Sequence, residues 1–274
     1  MPELPEVETI ARALREGGRG GAPIPGRQIE RAELLWPGCL ATPAAEFQRL
    51  LPGQTVEAVE RRGKFLILRL NTHALLIHLR MSGDVRVEGA GQPLLKHDRA
   101  ALQFAGGLHL AFNDARKFGR LWFTPLPQTV TAHLGPEPFD EALTPSAFHQ
   151  RLSTRQRQLK PLLLDQSFLA GMGNIYTDEA LHRAGLHPLC RSDALQPQHS
   201  TRLLDSLRAV LSDGIQRNGA SIDWVYRGGD FQNNFRAYQR TGQPCPVCAT
   251  PIQRLVVGQR GTHICPRCQP LEPH

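Results

Sequence analysis

Val7, Ile10, Ala11 and Leu14 recur at i, i+3, i+4 and i+7, a stripe that predicts an amphipathic helix docked on a core. After a Gly-, Arg- and Pro-rich stretch from Gly17 to Gly26, which reads as a loop, the period shortens. Thr55–Val59 alternates, and Phe65–Leu70, Ala74–Leu79, Asp84–Val87, Ala100–Phe104, Leu108–Phe112 and Leu121–Phe123 follow as short apolar runs. Between the first two of these, Arg61-Arg62-Gly63-Lys64 reads as a basic turn. Short strands so closely spaced predict an antiparallel sandwich or barrel, with the first helix packed against it.

From Thr131 to Pro145 three prolines and a glycine mark a linker, and beyond it helical spacing takes over. Ala147–Leu152 and Leu159–Leu164 are short helical segments. Gly171-Met172-Gly173 breaks the pattern, and Asn174 reads as the cap of a helix running to about Ala184. Leu203, Leu204, Leu207, Val210, Leu211 and Ile215 mark a further amphipathic helix that closes near Asn218-Gly219. The predicted class is therefore α+β. An N-terminal antiparallel β-sandwich with its flanking helix spans 1–130, a linker 131–144, a helical domain 145–238 and a C-terminal hairpin 239–274.

The hairpin is predicted from cysteine spacing. Four of the six cysteines form Cys245-x2-Cys248-x16-Cys265-x2-Cys268, the pattern of a zinc ribbon in which paired knuckles converge on one metal. One structural Zn2+ is expected, stapling a hairpin too small to hold itself together. Its tip, Val257-Gly258-Gln259-Arg260-Gly261, would carry an arginine outward. Cys39 and Cys190 stand alone and read as packing thiols in a reducing, cytoplasmic setting.

Charge narrows the partner. A formal +7 and a pI near 9.4 favour a polyanion, and only 6% aromatic residues favour a duplex over a stacked single strand. No secretory segment and no membrane-length apolar run is present in 274 residues, so no membrane partner is expected.

The first residues carry the candidate chemistry. Removal of Met1 would leave Pro2 with a free secondary amine, a nucleophile toward a sugar carbon that forms Schiff bases as a catalytic lysine does. A terminal amine titrates near pH ~8, so part of it is neutral at working pH. Pro5 suits a first helical turn, and Glu3 and Glu6 sit at the helix's positive end. Taken alone, these residues favour the blander reading, a frayed terminus with carboxylates that merely complement the helix dipole.

Further motifs decide between the two. Pro2-Glu3-Leu4-Pro5-Glu6-Val7-Glu8-Thr9, Arg62-Gly63-Lys64, His78-Leu79-Arg80-Met81-Ser82-Gly83, Asn113-Asp114-Ala115-Arg116-Lys117-Phe118-Gly119, Gly173-Asn174-Ile175-Tyr176 and the cysteine ribbon span the chain in this order. Together they resemble the bacterial formamidopyrimidine-DNA glycosylase family, relatives of endonuclease VIII. Leu4 stands where the endonuclease VIII branch typically has glycine.

The resemblance implies a monomeric, nucleoid-associated repair enzyme that binds damaged double-stranded DNA. It would remove 8-oxoguanine and formamidopyrimidines and cut the strand by β- and δ-elimination. Pro2 would attack C1′, Glu3 would act as general acid/base, and Glu6 would support the amine. Lys64 would contact flanking phosphates and share the proton transfers, and Arg260 would grip the phosphate of the everted nucleotide during elimination. Met81, Arg116 and Phe118 match the residues that fill the gap in the duplex. Core packing is the default reading for Met81 and Phe118. Lys160 and Asn174, the latter on a helix-two-turn-helix element, match phosphate contacts, and Tyr238 falls among the DNA-binding residues.

Three departures stand out. The lesion-capping stretch Trp224–Phe231 is shorter than usual, leaving oxidised pyrimidines open as substrates, while Lys117 and Ala115 replace a common arginine and proline. A non-catalytic duplex-binding protein would share the charge, the ribbon and the capped helix.

Overall fold

The computed structural model describes residues 1–221 and 228–272. The chain forms two compact units, Met1–Ala132 with Asn218–Gly229, and His133–Arg217 with Asp230–His274.

In the first unit, α1 (Leu4–Glu16) is followed by β1 (Ile29–Leu34), α2 (Ala44–Leu50) and β2 (Val56–Arg62). Then come β3 (Phe65–Leu70), β4 (Ala74–His78), β5 (Gly83–Glu88), β6 (Asp98–Phe104), β7 (His109–Asp114), β8 (Arg120–Thr124) and α3 (Pro127–Thr131). The strands make two antiparallel sheets, ordered β1-β6-β7-β5 and β2-β3-β4-β8. Leu66, Leu68, Leu75 and Ile77 of one sheet share a single core with Val85, Leu102, Leu110 and Phe112 of the other, which makes the sandwich the spacing predicted. The predicted stripe of α1 enters the same core, with Val7, Ile10, Ala11 and Leu14 all buried. Cys39 also belongs to it, and burial pushes its thiol up to about 11, the state of an inert packing residue.

Three elements escaped the sequence reading for a physical reason. β1 is an edge strand burying only Ile29 fully, so it shows no alternation, while the short helices α2 and α3 bury only Phe47 and Pro127. The basic turn is also tighter than expected. Arg61 and Arg62 lie within β2, and Arg62 pairs with Phe65 across a link of Gly63 and Lys64.

In the second unit, α4 (Pro145–Ser153), α5 (Leu159–Leu163), α6 (Asn174–Ala184) and α7 (Pro197–Gln216) precede a hairpin of β9 (Gln253–Val257) and β10 (Arg260–Ile264). One local prediction needs correcting. Gly173, extended at φ −135°, is the cap of α6, and Asn174 is its first helical residue, with its side chain used elsewhere. Among the described residues no helix is long and apolar enough to cross a membrane.

Because Ile10 is fully buried beneath the helix that leads from Pro2, Ile10→Ala should cost about 2–5 kcal/mol, seen as an earlier urea midpoint at unchanged slope.

Candidate functional site

Pro2 is buried immediately ahead of α1, and the helix start is built from its own carboxylates. Glu3 is the N-cap residue and Glu6 the third helical residue, and the two form a reciprocal capping box in which Glu6 Oε2 accepts from the Glu3 backbone N–H at 2.7 Å. Both side chains are 2% exposed. Glu6 has a further task that the sequence did not reveal. Its Oε1 accepts from the Ala220 backbone N–H at 2.7 Å, tying the helix start to the segment after α7. Gly219 permits this approach, since a Cβ there would stand 2.6 Å from Glu6 Oε1 and its φ is +81°. Ser221 and Gly229 then exchange hydrogen bonds of 2.9 Å through the Ser221 hydroxyl, closing the base of the segment between them. The suspected shortening of the capping loop falls on Trp224–Arg227, outside the described residues.

Lys64 follows Gly63 in the β2–β3 link. A lysine in a basic turn is ordinarily solvated, yet this one is 5% exposed. Burial of an ammonium is costly without partners, so its placement is specific.

Met81 and Phe118 depart from the default in the opposite direction. Neither is core: they are 42% and 49% exposed, and Arg116, also exposed, lies over the Phe118 ring at 5.0 Å. Two tight loops present them. In one, Gly83 N–H returns to Leu79 O at 2.9 Å and Arg80 takes φ +53°. In the other, Lys117 takes φ +61°. Asp114, fully buried at the end of β7, joins the two loops. Its Oδ1 accepts from the Ser82 hydroxyl and from Arg116 N–H at 3.2 Å, and its Oδ2 from Gly119 N–H at 2.7 Å. Sequence inspection placed Asp114 inside a motif but had no means of showing this role, because its partners come from separate loops.

The second unit holds the remaining candidates. Lys160 was expected to offer its ammonium to a phosphate, but the structure turns it inward. It is 0% exposed, and Nζ donates to Asp178 Oδ1 at 2.6 Å and to Gly261 O at 3.0 Å. Asn174 Nδ2 donates to the same carbonyl at 3.1 Å, leaving its Oδ1 buried without a partner among the described residues. The hairpin tip is a two-residue turn, Gly258 at φ +54° and Gln259 at φ +63°, from which Arg260 projects exposed. Lys160 and Asn174 thus fix the residue next to Arg260. Asp178 completes the arrangement by accepting from His263 N–H at 2.9 Å.

Glu179, next in α6, accepts from the N–H groups of Arg236, Ala237 and Tyr238 at 2.9, 2.9 and 2.7 Å. Burial pushes its carboxyl above the usual range, and the three amides pull against that shift. Tyr238 is half-buried, its ring edge-on to Phe235 and His263.

Cys245, Cys248, Cys265 and Cys268 are free thiols whose sulfurs all lie within 4.8 Å of one another. Thiolates about 2.3 Å from a tetrahedral zinc are separated by about 3.8 Å. The observed 3.4 and 3.8 Å contacts fit one such ion. Backbone N–H groups of Val247 and Cys268 point at Cys245 and Cys265 Sγ, both at 3.4 Å, as knuckles around a thiolate site do. With every ligand position filled by sulfur, the site is structural.

Comparison with known proteins places these features together. Residues 1–121 match the family model of the formamidopyrimidine-DNA glycosylase N-terminal domain, 134–225 that of the formamidopyrimidine-DNA glycosylase H2TH domain, and 242–271 a zinc finger found in FPG and IleRS. The chain is 43% identical over 281 residues to a formamidopyrimidine-DNA glycosylase of Chloroflexus aggregans, covering 99% of each. It is 38% identical to one from Enterococcus faecalis, covering 99% of this chain and 98% of that one. A solved complex of Lactococcus lactis FPG (MutM) with Fapy-dG containing DNA superposes with a TM-score of 0.89 at 36% identity, covering 98% of this chain and 100% of that one. A complex of MutM with DNA containing carbocyclic 8-oxo-G gives the same TM-score, identity and coverage.

Asp114→Ala would strip three donors of a buried acceptor, and each stranded group costs about 1–3 kcal/mol. Amide exchange at Arg116 and Gly119 should accelerate, while strand amides of β3 and β4 keep their protection; unchanged exchange at both loop positions would contradict the assignment.

Proposed function

The chain belongs to the formamidopyrimidine-DNA glycosylase family, and from that premise we propose that it excises oxidised purines from duplex DNA through the amine of Pro2 and then cuts the strand as a lyase. The observation that carries this reading is the helix start: a proline fixed ahead of a capped, core-anchored helix, with two buried carboxylates beside it. Relatives solved with 8-oxo-G and Fapy-dG containing DNA point to the lesion class.

With Met1 removed, the Pro2 nitrogen attacks C1′ and the damaged base departs with the glycosidic electrons, taking up a proton. Glu3 protonates the ring oxygen as the sugar opens, leaving an iminium between Pro2 and C1′. The iminium acidifies C2′, so loss of that proton expels the 3′ phosphate, and a second elimination expels the 5′ phosphate. Water then returns the free amine. Glu6 holds the helix start in register, and Lys64 serves the proton transfers and the flanking phosphates.

Eversion of the nucleotide leaves a gap in the duplex, and unstacking costs a few kcal/mol. Met81 and Phe118, exposed on loops joined through Asp114, are suited to fill it. The Arg116 fork would pair with the orphaned cytosine. In the helix-two-turn-helix unit, Arg260 takes the phosphate. Lys160 and Asn174 support it by holding the adjacent Gly261 carbonyl, and Tyr238 borders the hairpin.

Pro2→Gly should depress excision of 8-oxoguanine strongly in single-turnover assays while binding of the same duplex changes little; undiminished excision would overturn the mechanism. Arg116→Ala should flatten the preference for lesions opposite cytosine, read by comparing cleavage opposite each of the four bases, and an unchanged order of preference would contradict its role.

A further inference from the structure

We propose that His182 is a positioning residue for the zinc site: its Nε2–H donates to the Cys245 thiolate, holding the metal in the ribbon and the ribbon on α6. This goes beyond the repair reading and rests only on the ribbon's being a zinc site.

Three observations carry it. His182 is buried on α6, and its Nε2 lies 3.3 Å from Cys245 Sγ. The other ring nitrogen, Nδ1, is buried with no hydrogen-bond partner among the described residues. A proton on Nδ1 would be stranded there, whereas a proton on Nε2 meets a sulfur, so the geometry selects the Nε2–H tautomer. Finally, His182 ends a row along one face of α6. Asn174, Asp178 and His182 stand four residues apart, roughly 6 Å per step along the axis. Each reaches a different part of the ribbon: Asn174 the Gly261 carbonyl, Asp178 the His263 N–H, and His182 the thiolate.

The chemistry gives the last contact its consequence. Four thiolates around one divalent ion leave a net negative cluster, and donors to sulfur stabilise that charge. Val247 N–H already donates to Cys245 Sγ at 3.4 Å, and His182 supplies a side-chain donor from outside the ribbon. Loss of such a partner typically lowers metal affinity by about 10–100-fold.

The test uses the full-length protein. Substituted with 113Cd, it should show a metal-to-proton correlation to the His182 Hε2 across the Cys245 sulfur. The Val247 amide serves as internal control through the same sulfur. A Val247 cross-peak without a His182 cross-peak would overturn the proposal. In the zinc form, His182→Phe should surrender metal to a chromophoric chelator about 10–100-fold more readily, and His182→Gln, whose amide N–H takes the place of Nε2–H, should restore retention to within a few-fold. Equal retention by His182→Phe and the parent would also overturn it. If the parent protein itself carries no stoichiometric metal, the zinc reading fails, a result distinct from failure of the His182 contact.

Discussion

The nucleophilic role proposed for the Pro2 amine requires that the chain behind it cannot move, a constraint that falls on the first turn of α1. A chain terminus is ordinarily frayed, because nothing offsets the entropy of ordering it. In this protein a buried apolar stripe fixes the helix to the sandwich core, and Glu3 and Glu6 satisfy amides that a helix start would leave open. Glu6 also clamps Ala220, so residues more than two hundred apart in sequence share one carboxylate. The buried carboxylates thus have structural work beside the chemistry proposed for Glu3. Substituting Glu6 would disturb the helix start, the position of Pro2 and the base of the 221–229 segment together.

The second unit repeats this logic with different groups. Asp178 and Glu179, adjacent on α6, are buried carboxylates surrounded by backbone N–H groups and one lysine. Lys160 and Asp178 form an ion pair without exposed surface, where loss of one partner typically costs about 3–5 kcal/mol. Both members are also bonded to the ribbon backbone, so the pair sets the hairpin's position as well as its stability. Helix α6 and the hairpin are therefore parts of one polar network within that unit.

What the sequence disclosed followed from local rules. The stripe of α1, seven of the strands and the cysteine spacing were legible because period and spacing are properties of neighbouring residues. β1 and α2 were not, since an edge strand with one fully buried residue and a short helix with one buried phenylalanine carry little pattern. The roles of Asp114, Asp178, Glu179 and His182 were invisible for another reason: their partners are distant in sequence, and no spacing rule reaches them. Met81 and Phe118 mark the boundary between these cases. Hydrophobicity alone assigned them to the core, and only the surrounding motifs pointed to the surface where they lie. The same limit applied to Lys160, a motif lysine whose ammonium turned out to be buried.

The most direct test of the central claim is borohydride trapping on 8-oxoguanine duplex, followed by mass spectrometry of the cross-linked peptides. The mechanism requires the reduced sugar to be attached to the nitrogen of Pro2, on chains that have lost Met1. An adduct located on a lysine, with the terminal amine unmodified, would contradict the account.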